Sequence, residues 1–104
     1  MSIKQVIEIA EKMISGDIGI SEGSEILASL GEETTGDYLH SDFAPFVGIS
    51  GDLCHFPVGS VRSRWSEAGL ARVDAEKREI EDRYRKLALE SCAILIEKYG
   101  SKDT

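Results

Sequence analysis

The stretch that decides the fold is SEAGLARVDAEKREIEDRYRKLALESCAILIEKY, residues 66–99, because no other segment is as long or as periodic. Its apolar residues recur with a period near 3.6, the spacing of one helix face. Trp65 and Ser66 are typical of a hydrophobic staple and an N-cap, and Gly100 is typical of a helix stop. The pattern therefore predicts a single helix, Ser66–Tyr99, about 50 Å long.

The two halves of this predicted helix differ in composition. Few residues are apolar between Asp74 and Lys86, whereas residues 87–96 (LALESCAILI) are apolar nearly all round. A helix that is apolar all round lies at the centre of a domain. We therefore expect the C-terminal half to form the core, and the N-terminal half to project from it or to bind a partner.

The rest of the chain predicts two shorter helices and a long central loop. Ser2–Ser15 has a capping box and one apolar face, and Ser21–Leu30 begins at a capping serine and ends at Gly31. Residues 32–42 are polar except for Tyr38 and Leu39, and predict a long loop with room for one turn of helix. Residues 43–65 contain both prolines and several glycines, which argue against a long helix. We expect an ordered loop there that can hold short extended pieces.

The predicted fold class is all-α, with the two short helices packed on the long C-terminal helix. A chain of 104 residues buries one modest core, so we expect one helical domain over residues 1–100 and a frayed tail at 101–104. No apolar run reaches the roughly 20 residues that span a bilayer, and the N-terminus lacks a signal core. The sequence predicts a cytoplasmic protein without membrane contact, in which Cys54 and Cys92 stay reduced.

Charge is distributed unevenly along the chain. The formal net charge is −7, and no Lys or Arg occurs between Lys12 and Arg62, although acidic residues occur throughout that segment. A continuous acidic segment repels nucleic acid and attracts basic proteins. The alternative is that the charge serves only the solubility of an acidic protein.

We interpret the acidic segment as the binding surface of a non-enzymatic protein, specifically an immunity protein or antitoxin that neutralises a basic toxin such as a nuclease. A nuclease site that binds phosphates also accepts carboxylates, and opposite charges speed association. This interpretation involves no cofactor, no metal and no nucleic acid, and it leaves the oligomeric state open. The residues expected to contact the partner are Glu32, Glu33, Asp37, Tyr38, Asp42 and Asp52.

Two other functions remain open at this point. One is a small metal- or thiol-dependent enzyme, because imidazole, thiolate and carboxylate groups suit zinc or nucleophilic catalysis. Its candidate residues are His40, Asp42, Cys54 and His55. The other is a homo-oligomeric structural module, in which a thin apolar stripe of the long helix, Val73, Ile80 and Tyr84, pairs with a second copy.

One basic and aromatic cluster lies outside the long helix, at Arg62, Arg64 and Trp65. Arginine can clamp a phosphate or a carboxylate bidentately. We favour a structural role, in which Arg62 bonds loop carbonyls or neutralises the acidic segment and Trp65 staples the helix.

Several short motifs follow one another between Asp17 and Cys92. They are Phe46-Val47-Gly48-Ile49, Pro57-x-Gly59-x-Val61-Arg62, Trp65, Asp74, Tyr84-Arg85 and Cys92. In this order they resemble a family of short bacterial proteins of about this length and of uncharacterised function. In that family an acidic cluster follows Phe-Val-Gly-Ile, whereas residues 50–55 here contain only Asp52. The resemblance implies the fold boundaries and a bacterial origin, and it implies no particular activity.

Overall fold

The structure, a computed structural model, describes residues 2–37 and 39–100. These residues contain no strand, and the all-α fold class is confirmed. The described elements, in chain order, are α1 (Ser2–Ser15), α2 (Ile20–Thr35), α3 (Ala44–Leu53), a 3₁₀ helix (Gly59–Arg64) and α4 (Glu67–Gly100). The predicted bounds of the first helix are confirmed. The Ser2 side chain, Tyr38 and the predicted tail lie outside the described residues.

The long helix α4 runs the length of the molecule, whose extents are 49 × 23 × 20 Å. It begins as predicted, because Ser66 Oγ accepts a hydrogen bond from the backbone N–H of Gly69 at 3.0 Å. The Trp65 ring lies over the same turn, 3.4 Å from where a Cβ on Gly69 would be. The predicted long helix is therefore confirmed to within one residue at each end.

The core lies between the C-terminal half of α4 and the three shorter helices. The buried residues of α4 are Ala88, Ser91, Cys92, Leu95 and Tyr99. Direct contact with α1 is made where Cys92 Sγ lies 3.6 Å from Met13 Sδ. The expectation that the C-terminal half of α4 forms the core is confirmed, but Leu87 and Ile94 are 44% and 48% exposed, so the expectation of a central position is wrong. Because α4 lies along one side of the bundle, only one of its faces is covered.

Helix α3 replaces part of the predicted central loop. Pro45 lies in its first turn, where the missing N–H removes no hydrogen bond. Phe46, Ile49 and Leu53 follow the i, i+3, i+7 spacing of one helix face, and all are buried. The expectation of a loop with extended pieces is wrong here, because burial of this face outweighs the low helix propensity of the two exposed glycines.

Helix α2 begins one residue earlier than predicted, and Ser21 is not its cap. The N-cap is Gly19, which has no side chain to accept a hydrogen bond. The backbone N–H of Ser21 instead donates to Glu81 Oε2 of α4, at 3.2 Å. A carboxylate near a helix N-terminus is favourable. The start of α2 is therefore stabilised from another helix, by a contact that local sequence does not predict.

Helix α2 also extends past Gly31, which the sequence predicted as its stop. Gly31 is buried within the helix, and a Cβ placed on it would lie 2.4 Å from Phe43 Cγ. The helix ends instead at Gly36, whose φ of +74° is the left-handed conformation that glycine adopts readily. Residues 32–35, predicted as loop, are therefore helical, and Gly31 is required for close packing.

Candidate functional site

The exposed side of α2 carries only acidic charge. Its glutamates occur at i, i+3, i+10 and i+11, so they share one helix face over about 16 Å. All of them are exposed, and no Lys or Arg occurs between Lys12 and Arg62 in the sequence. We call this surface the acidic stripe; its residues are Glu22, Glu25, Glu32 and Glu33. It contains Glu32 and Glu33 of the predicted partner-binding residues.

Asp37 extends the acidic surface beyond the end of α2. It follows Gly36 directly and is exposed. Its Oδ1 accepts a hydrogen bond from the backbone N–H of Leu39 at 3.0 Å, which orders the turn. Tyr38, the aromatic residue expected to anchor the partner, lies outside the described residues.

Asp42 is engaged within the chain. Its Oδ1 accepts a hydrogen bond from Lys98 Nζ at 2.7 Å, and its Oδ2 accepts one from the Tyr99 hydroxyl at 2.9 Å. The Asp42 side chain is only 10% exposed. These contacts fasten the connection between α2 and α3 to the end of α4. A partner would have to displace Lys98 to reach this carboxylate.

The same contacts shift the pKa values of the pair. The hydrogen bond from Lys98, assisted by the hydrogen bond from Tyr99 and by the Lys98 charge, lowers the pKa of Asp42, although burial opposes the shift. Burial, followed by the hydrogen bond to Asp42, raises the pKa of Tyr99 to about 12. The folded state therefore favours an ionised Asp42 beside a neutral Tyr99 at neutral pH.

Asp52 lines a different site, an open groove of about 540 Å³ between the C-terminal end of α3 and the middle of α4. The Tyr84 hydroxyl donates a hydrogen bond to Asp52 Oδ2. This hydrogen bond raises the pKa of Tyr84, because only the neutral phenol can donate it; burial and the charge of Asp52 act in the same direction. We call this site the Asp52 groove; its lining residues are Gly51, Asp52, His55, Ile80, Arg83 and Tyr84.

Arg62 ties the 3₁₀ helix to α4. Its Nη1 and Nη2 donate to the two carboxylate oxygens of Asp74, at 2.9 and 2.7 Å. Nη1 also donates to the carbonyl oxygen of Pro57 at 3.2 Å. The hydrogen bonds from Arg62 lower the pKa of Asp74. The predicted bond to a loop carbonyl is confirmed, and the acidic partner of Arg62 lies in α4 and not in the acidic segment.

The residues of the enzymatic alternative do not converge. His40 and Asp42 precede α3, whereas Cys54 and His55 follow it, and a helix of 10 residues separates the two pairs by about 15 Å. Across the described parts of the chain, no group of three or more His, Cys, Asp or Glu residues is placed to hold a metal. The thiol of Cys54 donates to the carbonyl oxygen of Gly51 at 3.5 Å, so its contact is with backbone.

The apolar stripe of the oligomer alternative is already partly covered. Val73, Ile80 and Tyr84 are half-buried and pack against the core of their own chain. The Tyr84 hydroxyl is also bonded to Asp52. The N-terminal half of α4 therefore does not project freely, and pairing with a second copy through this stripe would compete with contacts inside the chain.

Sequence reasoning missed the contacts that join distant segments. Asp42 meets Lys98 and Tyr99, which follow it by 56 and 57 residues, and Asp52 meets Tyr84, 32 residues later. Charge complementarity in the sequence does not identify these pairs, because each acidic residue has many possible basic or hydroxyl partners in the chain. One signal existed for Tyr84, which shares the inward stripe of α4 with Ile80.

Comparisons with models of protein families, with curated proteins and with solved structures find no match to this chain. The resemblance to a family of short bacterial proteins therefore stays a prediction. None of the helices in the described residues is both long enough and apolar enough to cross a membrane.

Proposed function

We propose that the protein binds a basic protein partner without catalysing a reaction, and that it is an immunity protein or antitoxin that neutralises a basic toxin such as a nuclease. The observation that carries this proposal is the acidic stripe, a helix face with exposed glutamates and no neighbouring basic residue in sequence. A surface of one charge sign raises the association rate of an oppositely charged partner.

The geometry supports a narrower binding surface than the sequence did. Glu32, Glu33 and Asp37 lie together at the exposed end of α2, and Glu22 and Glu25 extend the surface along the helix. Asp42 serves the fold, because its carboxylate is bonded to α4, so the proposed surface leaves it out. Its glutamates lie on α2, and residues on a helix are positioned more precisely than residues on a loop.

A nuclease toxin suits this surface because its active site is built to bind phosphate groups. Carboxylates spaced along a helix can bind the basic side chains that would otherwise bind those phosphates, and so keep the nucleic acid substrate out of the active site. The proposal includes a cytoplasmic location, where free cysteines stay reduced; Cys54 and Cys92 are both free thiols.

The test compares two charge-reversed variants in binding to a candidate basic nuclease encoded beside the gene. The first variant, Glu22→Lys/Glu25→Lys/Glu32→Lys, reverses the stripe. We expect its association rate at low salt to fall about tenfold or more, with a flatter salt dependence. The control reverses the same number of exposed glutamates elsewhere, Glu11→Lys/Glu76→Lys/Glu90→Lys.

The control has the same net charge as the stripe variant but leaves the acidic stripe intact. Its association rate should therefore fall much less. Equal losses in the two variants would show that only net charge matters and would remove the stripe as the binding surface. A nuclease that binds equally well at low and high salt, and that neither variant affects, would contradict the proposal.

A further inference from the structure

At one end of the Asp52 groove a carboxylate lies beside the C-terminus of a helix, and among the described residues that carboxylate forms no ion pair, although Arg83 also lines the groove. Asp52 lies in the last turn of α3, and no basic residue lies in that turn. The C-terminus of a helix carries partial negative charge from its carbonyl groups, so it favours cations and disfavours carboxylates. The carboxylate and the helix end therefore add their negative potentials at one side of the groove.

The carboxylate of Asp52 is oriented but still accessible. The Tyr84 hydroxyl binds Oδ2, and no donor among the described residues contacts Oδ1. Asp52 is exposed to solvent at the groove mouth. An oriented carboxylate with one available oxygen loses little conformational freedom when it binds a further donor.

The walls of the groove suit an alkyl chain that ends in a cation. Ile80 is half-buried and offers an apolar surface, while Tyr84 and His55 contribute aromatic rings. Lys and Arg side chains lay their methylene groups along apolar surfaces and keep the charged head at a polar group. Aromatic faces also attract such cations.

We propose that the Asp52 groove binds a Lys or Arg side chain of a protein partner, with the cationic head at the Asp52 carboxylate and the alkyl stem along Ile80. That the side chain belongs to the neutralised toxin rests on the proposed function. The preference of the groove for a basic side chain rests on the groove alone.

Arg83 lines the same groove, and substituting it distinguishes binding of a basic side chain from binding of a carboxylate. A cation at the rim repels an incoming cation and attracts an incoming anion. Removing Arg83 should therefore strengthen binding of a basic side chain and weaken binding of a carboxylate. Removing the Asp52 charge should have the reverse effects. The two kinds of ligand thus predict opposite signs for the same pair of substitutions.

The test titrates the full chain with N-acetyl-arginine-methylamide and follows the backbone amide resonances by NMR. The matched probes are N-acetyl-norleucine-methylamide, which is neutral, and N-acetyl-glutamate-methylamide, which is an anion. We expect saturable shifts at residues 51–55 and 80–84 with the arginine probe. Asp52→Asn should weaken its binding about threefold or more, and Arg83→Gln should strengthen it about twofold, as expected for exposed charges.

Asp82→Asn is the control variant, because it removes an exposed carboxylate of α4 that does not line the groove. It should leave the dissociation constant of the arginine probe within about twofold of the original protein. Unchanged amide resonances elsewhere show that each variant keeps the fold.

No saturable shift in the groove with the arginine probe, or stronger binding of the glutamate probe that Arg83→Gln weakens, would overturn the inference. These outcomes leave the proposed function standing if the acidic stripe still governs nuclease binding. If the arginine probe binds in the groove but reversing the acidic stripe does not change nuclease binding, the proposed function is overturned and the inference about the groove still holds.

Discussion

The two halves of α4 are held in the molecule by different forces. All of the buried residues of α4 lie in its C-terminal half, beginning at Ala88. The N-terminal half packs only half-buried apolar residues against the core, and it is also tied to neighbouring elements by the polar side chains of Asp74, Glu81 and Tyr84. Apolar burial contributes far more to the free energy of unfolding than exposed polar contacts do. The C-terminal half therefore contributes most of the stability that α4 gives the fold, and the N-terminal half mainly positions surface elements and the Asp52 groove.

The largest effect is expected in the buried half, for Leu95→Ala. Leu95 is 0% exposed, and the substitution should lower the free energy of unfolding by about 3 kcal/mol through lost contacts and a residual cavity. Leu87→Ala is the control on the same helix, at a site 44% exposed, and should cost less than about 1 kcal/mol. Urea unfolding followed by circular dichroism measures both. Equal losses would show that burial on α4 is not one-sided.

Gly31→Ala tests the packing that surrounds the same half. The new Cβ would lie 2.4 Å from Phe43, whose ring packs 5.8 Å from that of Tyr99. We expect a loss of about 1–3 kcal/mol in the free energy of unfolding, because the fully buried Phe43 has little room to move. Gly48→Ala should be neutral or stabilise by up to about 1 kcal/mol, since nothing lies near its Cβ position. The same loss at both glycines would contradict this explanation.

Asp42→Asn tests the polar contact at the buried end of α4. We expect a loss of about 1–2 kcal/mol in the free energy of unfolding at neutral pH, because Lys98 and Tyr99 lose a charged acceptor. The pKa of folded Asp42 lies below the ordinary 3.8. Its contribution is therefore complete above the unfolded pKa and is lost as pH falls through the folded pKa.

The stability difference between the original protein and Asp42→Asn should accordingly shrink as the pH is lowered. Urea midpoints measured from neutral to strongly acidic pH provide this comparison. A difference that stays constant over that range would show that the substitution acts through packing and not through the carboxylate charge.

Asp74→Asn should have the smallest effect on stability. Both side chains of its ion pair with Arg62 are more than one-third exposed, at 37% and 39%, so water screens the interaction. We expect an unchanged unfolding midpoint and faster amide hydrogen exchange over residues 59–64, which lose their tether to α4. Asp82→Asn, which breaks the exposed pair with Arg85, is the control and should leave that exchange unchanged. A clear fall in the unfolding midpoint of Asp74→Asn would show that polar contacts of the N-terminal half of α4 also contribute substantially to stability.

The sequence predicts a helix well where its apolar period and its capping residues lie close together in the chain. The sequence predicts the first and last helices closely because each has a long apolar period, and because Ser66, which caps α4, directly precedes that helix. The sequence does not predict helix α3, because Pro45 and the glycines argue against a helix more strongly than the spacing of Phe46, Ile49 and Leu53 argues for one. Gly31 looked like a helix stop because nothing in sequence shows that Phe43 packs against it.

The candidate site was predictable to a similar degree. The acidic character of residues 13–61 follows from counting charged residues in the sequence. Glu32, Glu33 and Asp37 are exposed, as expected for residues that contact a partner. Asp42 and Asp52 looked equivalent to these residues in sequence. One of them ties the α2–α3 connection to α4, and the other is oriented by Tyr84 in a groove.

The sequence by itself determined where α4 begins and ends, that two shorter helices precede it, and that residues 13–61 contain acidic residues but no Lys or Arg. These properties depend on neighbouring residues or on simple sums, so they can be read without knowing the packing. Only the tertiary structure decided which face of α4 is buried, that α3 is a helix, and which carboxylates are engaged within the chain. Those outcomes depend on contacts between residues tens of positions apart, and the free energy of such contacts exists only once the helices have packed.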